Sequence, residues 1–178
     1  MRFVALLRAI NVGGHNVSMK ELVRLFESLG LTEVETFIAS GNVIFNSSSR
    51  NVRSLQDGIE QRLEESLGYE VKTFIRTDSE VAAIAKYRPF SAAKMTQAAA
   101  FNVAFLEQPL DAAGTKLLMG MKSGIDDFHV HGGEMYWLCK RKQSDSKFSN
   151  AVFEKALKVR STFRGMQTIE KLAAKLAP

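Results

Sequence analysis

Glu33-Val34-Glu35-Thr36-Phe37-Ile38-Ala39-Ser40-Gly41-Asn42-Val43-Ile44-Phe45 is the stretch on which the fold turns. From Glu33 to Ala39 polar and apolar residues alternate, with Val34, Thr36 and Ile38 on one face. Ser40-Gly41-Asn42 supplies turn chemistry, and Val43 to Phe45 resumes an extended run. Two strands joined by a short glycine-containing turn make a β-hairpin.

Working outward, Arg2 to Arg8 is an apolar, strand-like run. Ser18 then opens a helix with Met19, Leu22, Val23, Leu25, Phe26 and Leu29 on one side. Ser18 with Glu21 forms a capping box, and Gly30 ends the helix. Downstream, Asn51 or Ser54 caps a second helix whose apolar set is Leu55, Ile59, Leu63 and Leu67, with Gly68 closing it before a strand from Glu70 to Arg76. Strand, helix, strand, strand, helix, strand is the split βαβ order of ferredoxin-like domains. Right-handed crossovers then give an antiparallel sheet with both helices on one face. Asp78 is expected to cap a trailing helix from Ser79 to Tyr87, stopped by Pro89, and Arg88 to Thr96 reads as a linker.

The second half repeats this order. Ala99 to Leu106 reads as a strand, Asp111 to Met121 as a helix, Phe128 to His131 and Met135 to Cys139 as a hairpin around Gly132-Gly133, and Asn150 to Lys158 as a helix. Thr162-Phe163-Arg164 leads into a last helix, from Thr168 to Leu176, as Thr73-Phe74-Ile75-Arg76 leads into the one after Asp78. The expected fold is α+β, two ferredoxin-like βαββαβ lobes in a tandem duplication, with residues 1–88 in the first lobe and 89–178 in the linker and second lobe.

Composition bounds the function classes. At 178 residues, 46% apolar and 24% charged, the chain can bury roughly 70% of its unfolded surface. Cys139 is the single cysteine, which excludes an intramolecular disulfide and a multi-cysteine metal site. Phe3 to Leu7 is too short for a signal-peptide core, and no apolar run reaches a membrane span, so a cytoplasmic protein without a membrane partner is expected. Residues 1–88 balance 11 Lys/Arg against 11 Asp/Glu, whereas residues 89–178 hold 13 against 8 and carry the whole net charge of +5.

Val4-Ala5-Leu6-Leu7-Arg8-Ala9-Ile10-Asn11-Val12-Gly13-Gly14, the helix from Met19, Thr36 to Phe45 and Ser161-Thr162-Phe163-Arg164 together resemble the bacterial domain of unknown function 1697 family, across essentially the whole chain. The chain departs from the family pattern at Ala9, where glycine is usual, and at Gly165-Met166, where asparagine-tryptophan is usual. The resemblance implies an α+β fold with ferredoxin-like halves, and brings no established activity.

In a split βαβ sheet the end of the first strand and the hairpin turn share one edge. Arg8, Asn11, Gly13, Gly14, Ser40 and Asn42 should therefore meet near the start of the Ser18 helix. There they form a candidate cradle for a small anionic or phosphate-bearing metabolite. Glycine pairs expose backbone N–H groups, arginine offers a bidentate fork and asparagine an amide. The opposing reading is that the glycines permit turns and the asparagines bond their own loops. A nucleic-acid reading rests on Lys140, Arg141, Lys142, Lys147, Arg160 and Arg164, without the aromatic stripe of an RNA platform. A third reading is an interaction or homo-oligomer module using an uncovered sheet face.

His129 and His131 share a strand face but lack a third ligand at metal spacing and are expected to face solvent; His15 has no evident partner. No metal and no cofactor is called for. Walker, G-x-G-x-x-G and G-x-S-x-G patterns are absent, and Cys139 continues a strand alternation rather than sitting beside a histidine.

Overall fold

The computed structural model describes residues 1–38 and 41–177. The chain divides into two bodies: Met1–Ile84 with Lys171–Pro178, and Ala85–Glu170. In the first, β1 (Arg2–Leu7), α1 (Met19–Glu27), β2 (Thr32–Thr36), β3 (Asn42–Asn46), α2 (Val52–Leu67) and β4 (Thr73–Thr77) are followed by α3 (Asp78–Lys86). The second opens with α4 (Ala92–Thr96), then repeats the plan as β5 (Ala100–Leu106), α5 (Ala112–Met119), β6 (Asp126–His131), β7 (Glu134–Cys139), α6 (Asn150–Leu157), β8 (Ser161–Gly165) and the start of α7 (Met166–Leu176). Each body holds a four-stranded antiparallel sheet, ordered β2-β3-β1-β4 and β6-β7-β5-β8, the split βαβ arrangement twice over.

Local chemistry explains the boundaries. Ser18 Oγ accepts from the Glu21 N–H at 3.1 Å and Asn51 Oδ1 from the Ser54 N–H at 3.0 Å, so both helices start where a side chain takes an orphan donor. Gly68 ends α2 in the left-handed region at φ 81°. The α3 cap differs from expectation. Thr77, not Asp78, supplies it: Thr77 Oγ1 accepts from the Glu80 N–H at 3.2 Å while Glu80 Oε2 accepts from the Thr77 N–H at 2.8 Å. This is a reciprocal capping box one residue upstream. Thr77→Ala should lower the unfolding free energy by about 1 kcal/mol and Thr77→Ser by much less, as read from urea denaturation midpoints.

One further expectation, in the hairpin, is corrected. Strand β2 stops at Thr36, and Ile38, grouped on one face with Val34 and Thr36 by alternation, is 47% exposed with φ 45°. The reason is Asn42, whose Nδ2 donates to the Phe37 and Ile38 carbonyls and pulls the chain out of the ladder. The linker contains α4, capped by Ser91 Oγ on the Lys94 N–H.

In the first body Phe3, Ala5 and Leu7 of β1 pack with Val43 and Phe45 of β3, beneath Leu22 and Phe26 of α1 and Ile59 and Leu63 of α2. The opposite sheet face is apolar as well. Val4, Leu6 and Ile44 are buried there, as are Val103, Phe105, Tyr136 and Leu138 on the second sheet. Strands this apolar on both sides leave no polar face for water. Among the described residues no helix is long and apolar enough to cross a membrane.

Candidate functional site

The end of β1 and the hairpin turn do share an edge. Leu6 pairs with Asn42, the Leu7 N–H donates to the Gly41 carbonyl at 2.7 Å, and the Arg8 N–H donates to the Lys72 carbonyl at 2.9 Å. Arg8, half-buried, thus stands between the β3 and β4 sides of the sheet end. Ser40 lies outside the described residues.

Beyond Arg8 the loop folds on itself. Ala9 adopts φ 54°, which turns the chain so that Ile10 is buried. Asn11 Oδ1 accepts from the Val17 N–H at 2.8 Å, closing the loop immediately before the Ser18 cap. The buried Asn42 spends Nδ2 on the turn carbonyls described above. These two asparagines therefore shape the loops that display the remaining groups. Gly13 and Gly14 are exposed, at φ 69° and 86°, with open space where a Cβ would stand. Among the described residues nothing accepts from their N–H groups.

Tyr69 and His15 complete the edge. Tyr69 Oη donates to the Ile10 carbonyl at 2.7 Å, and the His15 ring stacks on the Tyr69 ring with centroids 3.7 Å apart. Burial, then the nearby Glu21 charge, raises the Tyr69 pKa and keeps the phenol a donor. His15 accordingly has a partner, and Tyr69 belongs to the edge although no motif marked it. Its signal was Gly68, whose left-handed turn redirects the chain after α2.

The second body keeps this framework and changes the chemistry. The Leu106 N–H donates to the Gly133 carbonyl and the Glu107 N–H to the Arg160 carbonyl, matching the Leu7 and Arg8 bonds. Glu154 accepts from the Ser161 N–H as Glu60 does from the Thr73 N–H. Glu107 therefore occupies the Arg8 position with the opposite charge.

The basic residues of the second body are divided. Lys140, Arg141 and Lys142 follow β7, whose Cys139 pairs with Ala100, while Arg160 precedes β8, whose Ser161 pairs with Leu106. Those ends of the seven-residue β5 are about 20 Å apart at roughly 3.4 Å per residue. Lys147 is exposed; Arg164 is half-buried and donates to Thr162 Oγ1 and the Phe163 carbonyl, with burial lowering its pKa to about 10.

His129 is half-buried rather than facing solvent. Its Nε2 lies 3.0 Å from Tyr87 Oη, the Tyr87 ring stacks on His131, and burial followed by the His131 charge lowers the His129 pKa. Among the described residues no three His, Cys, Asp or Glu side chains group to hold a metal. Cys139 is buried, and burial raises its thiol pKa, the opposite of what a nucleophile needs.

Fold and edge together define a two-lobed α+β protein with ferredoxin-like halves and a glycine-rich loop at the end of its first strand. The family model described as a protein of unknown function, DUF1697, matches residues 1–136, and the chain belongs to that family. Among solved structures it is similar to the conserved bacterial protein SP0830 from Streptococcus pneumoniae, at 24% identity and a TM-score of 0.77, covering 99% of this chain and 98% of that one. No match emerges among curated proteins.

Proposed function

We propose that the protein binds a small ligand bearing an anionic group at the edge built by Arg8, Asn11, Gly13, Gly14 and Asn42, with Ser40, which lies outside the described residues, a further candidate contact from the sequence. The observation that carries this reading is the Gly13-Gly14 pair, two exposed left-handed residues whose N–H groups meet no acceptor among the described residues. Consecutive N–H groups displayed in this way form an anion-binding concavity. Asn11 and Asn42 hold the loops, and Arg8 supplies the charge.

Magnitudes place the weight on Arg8. An exposed helix terminus contributes about 0.3–1 kcal/mol to an anion, whereas micromolar affinity needs about 8 kcal/mol. A panel of phosphate- and carboxylate-bearing metabolites tests the reading by thermal shift. A ligand at one hundred times its Kd stabilises by about 2.7 kcal/mol, or roughly 5–10 °C for a chain of this size. Arg8→Ala should remove that shift while melting near the parent without ligand. If no compound raises the parent's melting temperature, or Arg8→Ala responds as the parent does, the edge is not a ligand site. Nucleic-acid binding is less well supported, because the exposed cations are split between opposite sheet ends.

A further inference from the structure

The second body contains a cavity of about 660 Å³, walled in part by Arg88, Asn102, Lys142, Gly165, Gln167 and Thr168. Its position becomes informative when the two sheets are superposed by register. In the first, Phe3 sits across from Phe45 on one side and Thr77 on the other. In the second, the same place belongs to Asn102, across from Trp137 and Gly165. Where the first body fills the sheet end with a fully buried phenyl ring stacked on Phe45 at 5.6 Å, the second has a carboxamide beside a residue with no side chain.

Asn102 is only 6% exposed, and its Nδ2 is buried with no hydrogen-bond partner. An unpaired buried donor is destabilising, and an apolar residue at this position would avoid that cost. The adjoining helix start is also open. Thr77 and Glu80 cap α3, but their counterparts on α7 are Gly165 and Thr168, and among the described residues no side chain caps this 11-residue helix. Gly165, Met166, Gln167 and Thr168 line the cavity, so the positive end of α7 borders it.

The charged side chains lining the cavity are Arg88, Lys142 and Glu170, two positive against one negative. Lys142 is exposed and makes no ion pair among the described residues. Arg88 carries the second positive charge, partly balanced by Glu170 at 2.7 Å. Met95, Phe101 and a run of alanines from Ala98 supply apolar wall. Volume, donors and wall together suit a molecule with an anionic head and an apolar body.

We propose that this cavity binds a phosphomonoester, its phosphate taking the Asn102 amide, the first-turn N–H groups of α7 and Lys142, and its organic part lying along the Met95 and Phe101 wall. This site is separate from the Arg8 edge and stands or falls independently of it.

The test uses phenyl phosphate and inorganic phosphate as probes, titrated calorimetrically into the full chain and its variants. Titrated into Arg8→Ala, which removes the first-body site proposed above, phenyl phosphate should still bind, and more tightly than inorganic phosphate does. Asn102→Leu should weaken it at least tenfold while leaving the urea midpoint unchanged or raised, because the stranded donor is gone. A purely structural asparagine would give the reverse, lower stability with unchanged binding. Should Asn102→Leu fail to fold, Lys142→Glu at the exposed rim decides the matter, with at least tenfold weaker binding expected. Absence of binding to the parent, equal affinity in Lys142→Glu, or binding lost in Arg8→Ala would each overturn the proposal.

Discussion

Phe45→Ala should lower the unfolding free energy by about 3–5 kcal/mol, a large share of the roughly 5–15 kcal/mol that holds a typical domain. Phe45 of β3 is fully buried, stacked on Phe3 at 5.6 Å and edge-on to Phe26 of α1 at 5.7 Å. Removing it strips both a strand-to-strand and a strand-to-helix contact, and the surrounding Leu22, Ile59 and Leu63 belong to helices fixed by their own caps, so collapse into the void is limited. Phe45→Leu, which refills most of the volume, should recover more than half of the loss. Val12→Ala on the exposed loop should stay within about 0.5 kcal/mol of the parent. Urea unfolding of the three variants checks the ranking, and a Phe45→Ala loss under 1 kcal/mol would mean that the core repacks.

Element order was legible because its signals are local. Ser18, Asn51 and Gly68 each act through residues three or four positions away, and the apolar spacing of α1 and α2 repeats within a turn or two. The errors are local competitions as well. Thr77 and Asp78 are both cap formers, and Glu80 settles the matter by bonding back to Thr77. Ile38 alternates like a strand residue, but Asn42 claims its carbonyl. Five-residue α4 has no apolar period to detect.

The candidate edge was legible as a place and less so as chemistry. Right-handed crossovers force Arg8 and Asn42 to one sheet end, and Leu7 bonding to Gly41 shows them there. Whether an asparagine faces outward or bonds its own loop depends on backbone angles of a few tenths of a turn, which residue type does not set. His15 meeting Tyr69 is a long-range event that no spacing encodes. The equivalence of Phe3 and Asn102 was hidden for another reason. The hairpins align at one offset, Gly41 with Gly133, but shorter connections in the second body shift β5 and β8 relative to it, so only the strand register equates them.

Asp126 carries the second large effect. It is 6% exposed, and its carboxylate takes the Trp137 indole N–H at 2.8 Å on Oδ1 and the Ser123 and Ser146 hydroxyls at 2.9 and 2.8 Å on Oδ2. One side chain thereby ties the start of β6 to β7 and to the segment before α6. Asp126→Ala should cost about 3 kcal/mol, since the indole N–H is left buried and unpaired while the serines can turn to water or their own backbone. Asp126→Asn keeps the Oδ1 acceptor and turns a donor toward two hydroxyls able to accept, so its cost should be nearer 1 kcal/mol. Trp137→Phe removes the donor itself, and in that background Asp126→Ala should cost at least 1 kcal/mol less than it does alone, the coupling expected of a direct buried pair. Trp137 is the only tryptophan, so its fluorescence follows the second body through unfolding and reports the loss of the carboxylate in the folded state. Additive effects of the two substitutions would show that the bond contributes nothing beyond packing against Phe148 and Phe163.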